Sequence, residues 1–460
     1  MDERQVDVAD RASHLQALTE FRVGFYSCLT SWGDTLFELC DATLTSTSPV
    51  ASVPTLSLEP VFRRSHGSLY KALADGIIDT DRLRQLLIAN RPKQWPAIFA
   101  VDASTWDRCD AETSAERGFY YSASKHSNGQ PIVAGWSYQW INQLDWAPDS
   151  WTAPVDVSRI SPNTDTTTAT VAQVQRLMAD LGDTGDIPMF VFDAGYDPIA
   201  LGAELADTRA QILVRISPKR VFHPDPPPPA PGAMGRPRRH GPRFALSERD
   251  TWHQPDQQHL AHDTRYGNIC VQAWSDMHPK LAGRGRWANH HLPPIVRGTV
   301  IRVEVEHLPK PTARNVKTLW LWWSGPGHPD LDIVWRAYLR RFDIEHTFRY
   351  VKGALGWTTP AVCTPQQADR WSWLIIAAYT QLRLARPVVA DHRLPWERPR
   401  EPRLLTPART RRGFPLLRTI IGTPAHPPKS DKPGPGRPKG TRKPPRTRHP
   451  AIKKQTPTAA

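Results

Sequence analysis

Cysteine is scarce in this chain of 460 residues, with five in all: Cys28, Cys40, Cys109, Cys270 and Cys363. They are scattered, odd in number and form no CxxC pair. That excludes a disulfide framework and a cysteine-based zinc site, and it fits a reducing compartment. Long apolar runs are also missing. The most apolar stretch, Trp373 to Tyr379, is far too short to span a bilayer. The opening residues, MDERQVDVADR, are acidic and polar, unlike a secretory signal. A soluble, cytoplasmic protein is expected.

Negative charge is nearly absent from the C-terminal part. From Arg398 to Ala460 there are 17 Lys and Arg against 2 Asp and Glu, whereas residues 1–397 carry 42 against 43. The net charge of +14 therefore sits in the tail over a nearly neutral body. A polyanion is the natural partner of such a tail, and a merely solubilising role is the alternative. The length leaves room for about two or three domains, each with its own core.

The first part, residues 1–92, reads as a helical domain. His14 to Leu39 carries apolar residues at helical spacing, and shorter helices fit Glu59–Ala74 and Thr80–Ala89, the latter capped by Asp79 or Thr80. Arg63, Arg64, His66, Tyr70 and Lys71 cluster on the first of these short helices. This module is either a DNA reader or a packing subdomain.

Next comes an apolar run, Trp95 to Thr105, ending in Asp102. A second run, Ile187 to Phe192, ends in Asp193. Buried strands run apolar on both faces, and carboxylates just past their ends sit where α/β sheets form sites. Between the two runs, Tyr120–Tyr121, Pro131–Tyr138 and Trp140–Leu144 suit antiparallel strands, and Asp165 suits the cap of a helix to about Leu181. After them come a helix over Pro198–Leu205 and a strand over Gln211–Ile216. Asp197, four residues past Asp193, is a competing carboxylate, but its neighbour Pro198 marks it as the cap of that helix.

Residues 217–329 change character. His223 to Gly241 is rich in Pro, Gly and Arg, and β-type runs follow at Ile269–Ala273, Thr299–Glu306 and Lys317–Trp323. Arg302, Lys310, Arg314 and Lys317 are either DNA-facing or ordinary strand-surface charges. Trp320, Trp322 and Trp323 read as packing residues, with stacking on a flipped base as the alternative.

Val334 to Trp357 then reads as one helix to about Leu355. At about 100° per residue, Tyr338, Arg341, Glu345 and Lys352 fall within roughly a 60° arc. Ile344, Val351 and Leu355 flank them, while Asp343 and His346 point to solvent. Pro365 to Ala385 forms a further apolar helix. From about Pro395 the chain is Pro-rich and basic, and no structure is expected there. Within it, Pro435 to Gly440 (PGRPKG) resembles an AT-hook, a motif that lays an extended arginine into a narrow minor groove. Gly235 to Arg238 is a shorter copy of its core.

The spacing Tyr338-(2)-Arg341-(3)-Glu345-(6)-Lys352 resembles the YREK signature of bacterial insertion-sequence transposases of the DDE type. That resemblance spans about Trp95–Leu384. It implies an α/β fold: an RNase H-like mixed sheet flanked by helices, an all-β insertion, an N-terminal helical domain and a disordered basic tail. The implied boundaries are 1–92, a first core part at 93–216, the insertion at 217–329, a second core part at 330–395 and the tail at 396–460.

It further implies a transposase that cuts and rejoins DNA at element ends, with Asp102, Asp193 and Glu345 as catalytic and metal-binding residues. Two Mg2+ ions would serve, with Mn2+ as a substitute. Two divalent ions about 4 Å apart suit in-line phosphodiester cleavage, and carboxylates rather than His or Cys suit magnesium. Tyr338, Arg341 and Lys352 would hold the DNA end, with Arg437 and Lys439 contacting DNA from the tail. Terminal repeats and target DNA are the implied partners, the bound form a homodimer, the location the bacterial cytoplasm at the nucleoid. A catalytically silent, co-opted DNA-binding protein of the same fold is the alternative.

Overall fold

The computed structural model describes residues 3–121, 131–183, 185–229, 235–308, 317–428 and 445–453. Arg437, Lys439, Lys310 and Arg314 lie outside the described residues. The chain divides into two compact units. One comprises residues 1–94, 103–163 and 343–454, the other 95–102, 164–342 and 455–460.

In the first unit, the helix Pro365–Ala385 is the centre of packing. Thr364 and Gln367 form a capping box at its start, and Trp371, Ile376, Ala377, Tyr379 and Leu382 are wholly buried along it. Against it lie the helices Glu3–Ser27, Gly33–Thr45 and His66–Asp75. The helix Thr80–Ala89 starts as its sequence indicates, with Asp79 accepting the Arg82 N–H.

Arg63 and Arg64 depart from expectation. They precede the helix, which begins only at His66, and both guanidiniums turn to the buried Glu38 and to the His426 carbonyl. A buried carboxylate requires such compensation, so these arginines belong to the packing.

The basic tail also differs from expectation. Pro407–Ile421 is a helix, capped by Thr406 and burying Phe414 and Leu417. Its arginines find fixed acids: Arg412 reaches Glu397 at 2.7 Å and Arg418 reaches Asp41 at 3.2 Å. Composition suggested an unfolded segment. An apolar stripe and acids elsewhere in the chain, Asp41 buried and Glu397 partly exposed, make it fold.

Three antiparallel strands complete this unit: Gly118–Tyr121, Ile132–Gln143 and Ala153–Ile160. The last was not legible in the sequence. Gly135 lets the middle strand approach the Trp106 carbonyl so closely that any Cβ would collide with it.

The second unit is built on a mixed sheet ordered Gln257–Asp263, Gly267–Met277, Gly298–Val305, Thr318–Ser324, Gln211–Ile216, Met189–Phe192 and then the beginning of Ile98–Asp107. Pairing is antiparallel as far as Gln211–Ile216 and parallel beyond it. The helices Thr166–Leu181, Pro198–Glu204 and Leu331–Arg340 accompany it. This is the α/β arrangement of a mixed sheet flanked by helices expected of an RNase H-like core.

The β-type runs after residue 217 are hydrogen-bonded onto the core sheet, Trp322 opposite Val214, rather than closing on themselves. Trp274, Trp320 and Trp322 pack there with Phe222, Phe244 and Met277. Trp323 is 3% exposed and Trp322 not at all, so these rings are core, with no free face for a base.

The long helix containing Glu345 is two helices, Leu331–Arg340 and Asp343–Gly353, separated by a turn at Arg341–Phe342. Neither Pro nor Gly marks this break. Asp343, expected to face solvent, is 6% exposed.

Candidate active site

Asp102 does not end its strand. It stands in the middle of Ile98–Asp107, at the point where full burial gives way to partial exposure. The neighbouring parallel strand is shorter and ends at Phe192, immediately before Asp193. Their register pairs Ile98 with Met189 and Ala100 with Val191. Carried two residues past the last paired ones, the same register would set Asp102 opposite Asp193, about one strand spacing (about 4.8 Å) apart.

Local geometry fixes each carboxylate. Asp193 Oδ1 accepts the Gly195 N–H at 2.8 Å, closing a tight turn just past the strand end. Asp102 Oδ2 accepts from Arg341 Nη1 at 3.2 Å. Arg341 follows the last residue of its helix and is 9% exposed, so its charge acts in a poorly solvated setting. Its guanidinium also lies 5.8 Å from the Tyr338 ring centroid, and Tyr338 itself is buried. Asp197 is exposed and caps the helix Pro198–Glu204 through the Ile199 and Ala200 N–H groups, as its neighbour Pro198 indicated.

Tyr196 was not singled out from the sequence, although it lies in the DAGYD run. Its phenol is buried against Phe192, ring centroids 5.0 Å apart. Burial first, then the charges of Asp102 and Asp193, push its pKa well above the ordinary value, while Arg341 pulls it down. The only legible signal was a tyrosine three residues past a strand-end Asp.

The remaining signature residues belong to the first unit. Glu345 is half-buried in the first turn of Asp343–Gly353. Lys352, near the end of that helix, donates to the Thr105 carbonyl at 3.0 Å and lies 5.7 Å from the Trp357 ring centroid. Burial lowers the Lys352 pKa, and Asp107 partly restores it.

The donor set suits a hard divalent cation: carboxylate oxygens, with neither His nor Cys. Among the described residues, no group of three or more His, Cys, Asp or Glu side chains is gathered so as to hold a metal ion. Asp102 and Asp193 are carboxylates of the kind such a cation takes.

The fold is a mixed α/β sheet with an acidic residue on or just past each of two adjoining parallel strands, one of them paired with a guanidinium. Residues 24–278 match the family model for DDE superfamily endonucleases, a segment containing Asp102 and Asp193. The chain belongs to that family. Membership carries a nuclease or transposase role, DNA as substrate and dependence on a divalent metal ion. No curated protein matches the sequence. Among the described residues, no helix is long and apolar enough to cross a membrane.

Proposed function

We propose that this protein is a transposase of the YREK branch, cutting and rejoining DNA phosphodiester bonds at the ends of a bacterial insertion sequence. The observation that carries this reading is the register of Asp102 beside Asp193, with Arg341 against Asp102. Glu345 is the third carboxylate of the proposal, and the three would hold two magnesium ions. When bound, such ions supply a water activated at neutral pH and neutralise charge gathering on the phosphate.

The chain's own groups set the geometry. The Gly195 N–H holds the Asp193 carboxylate, and Arg341 holds that of Asp102, so neither has to reorganise when a phosphate arrives. Arg341 and Lys352 supply the cations that grip phosphate oxygens of the element's terminal strand, and Tyr338 backs the guanidinium. A 3′-hydroxyl produced by cutting can then attack target DNA at the same carboxylates, so one site serves both steps. Arg437 and Lys439 add groove contacts from the tail, and a homodimer brings two ends together.

The test is cleavage of DNA carrying the flanking terminal repeats, in magnesium, by wild type and by Glu345→Gln. Cutting at the repeat boundary that disappears in the variant supports the assignment. Retained binding without any cutting by wild type would replace it with a silent DNA-binding protein.

A further inference from the structure

In the first unit the edge strand Gly118–Tyr121 carries two aromatic rings outward. Phe119 is 42% and Tyr121 74% exposed, and positions two apart on a strand share a face. Ile132, the cross-strand partner of Tyr121, is 59% exposed beside them. Rings so exposed on a strand cost apolar contact with water, and nothing in the core needs them.

The basic segment 445–453 docks beside the residues leading into this strand and reaches its first residue, Gly118. The His449 N–H donates to the Glu112 carbonyl at 2.8 Å, and the Ile452 N–H to the Arg117 carbonyl at 2.6 Å. Ile452 bridges Gly118 in parallel sense. Arg117, 4% exposed, clamps the segment: its Nη2 donates to the His449 carbonyl at 2.9 Å, while Nη1 and Nε hold the Arg108 and Ser114 carbonyls. The docking thus uses main chain and a buried guanidinium, which leaves Arg446, Arg448 and Lys453 exposed. Of these, Arg448 meets Glu112 at 3.5 Å, a pair open to water and therefore weak.

We propose that the strand Gly118–Tyr121 and the docked segment 445–453 together form a contact surface for DNA with unpaired bases, Phe119 and Tyr121 stacking on bases and Arg446, Arg448 and Lys453 meeting phosphates. Exposed aromatics bordered by a basic track are what sequence-tolerant single-strand binding requires, because every base offers a π face and every nucleotide a phosphate. The inference rests on the DNA-processing function proposed above, in which strand ends must be separated from their partners. It adds a surface remote in sequence from the signature residues.

Anisotropy of a labelled single-stranded oligonucleotide, and of a duplex of the same sequence, tests it on the full chain. Phe119→Ala with Tyr121→Ala is expected to weaken single-strand binding on the order of 10-fold per stacked ring, with duplex binding little changed. Phe119→Trp with Tyr121→Trp should retain it, which separates stacking from misfolding. Arg446→Ala, Arg448→Ala and Lys453→Ala together should flatten the salt dependence of single-strand binding by a slope of about 2.

Tight wild-type binding indifferent to both sets of changes would overturn the surface alone. Wild type that binds neither DNA would overturn the surface and the DNA-processing function together. A preference for RNA over DNA, or a change of oligomeric state with DNA affinity unaltered, would assign the surface to another partner and overturn the proposal.

Discussion

Arg341 Nη1 stands 3.2 Å from Asp102 Oδ2, joining the residue after a helix to the middle of the strand that carries the first acidic residue. The guanidinium fixes the carboxylate before any substrate binds. Arg341→Gln is expected to lower the cleavage rate on the order of 100-fold, in the range for losing one preorganised donor. The cleavage assay at saturating DNA reads this directly. A rate within a few-fold of wild type would mean that the ion pair serves stability instead.

Asp102→Asn, Asp193→Asn and Glu345→Gln should each abolish cleavage and leave DNA affinity intact. Each change keeps side-chain volume and removes the charge a divalent cation requires. Gel-shift binding run beside cleavage checks it, and any one variant that still cuts at the wild-type rate removes its residue from the site.

Asp41 is wholly buried and accepts from Arg22 Nη1 and Nη2, at 2.7 and 2.9 Å. Asp41→Asn strands a buried cation, at an expected cost of about 3–5 kcal/mol. Denaturant unfolding of the variant measures it. Replacing Arg22 and Asp41 together by apolar residues of similar volume should cost less, since the fully buried Arg22 charge disappears and only the partly exposed Arg418 loses its partner.

Gly135→Ala drives a methyl group into the Trp106 carbonyl. Backbone against backbone cannot relax by a rotamer change, so a loss of about 3 kcal/mol is expected, the upper end for overpacking. Thermal melting should show it.

His223, His240 and His278 cluster at the root of the Pro-rich loop with their rings tilted against one another, and His240 Nδ1 lies 3.0 Å from His278 Nε2. Burial lowers the pKa of both His240 and His278. His223, Arg239 and Lys280 reinforce this for His240. For His278 the neighbouring His240, Arg297 and His223 do so, and Asp225 opposes them. A pKa below the unfolded value of about 6.5 gives a contribution that is full above that pH and lost as the pH falls through and below it. Melting temperature should therefore drop from about pH 7.5 to about 5.5 more steeply in wild type than in His278→Gln. Parallel curves would show that the cluster does not titrate there.

Truncation separates the two parts of the basic tail. Removing residues 398–460 takes away the helix Pro407–Ile421 with its buried Phe414, and the melting temperature should fall. Removing only 429–460, which holds ten basic residues and one acidic, should mainly reduce the salt dependence of non-specific DNA binding. An unchanged salt slope would take the tail out of DNA binding.

Much of this was legible in the sequence because it depends on local pattern. Apolar runs ending at Asp102 and Asp193, the caps at Asp79, Asp165 and Asp197, and the helix Pro365–Ala385 follow from periodicity and capping chemistry that act within a few residues. What the tertiary structure alone decided involves partners far apart in the chain. The register that sets Asp102 abreast of Asp193 depends on which strands pair. Arg63 and Arg64 became packing residues because the buried Glu38 takes both of their charges. The tail helix exists because Asp41 and Glu397 receive its arginines. The strands after residue 217 extend the core sheet because Thr318–Ser324 finds the edge of Gln211–Ile216. Each of these is a long-range match of charge or hydrogen-bonding edge, and such matches leave no trace in local spacing.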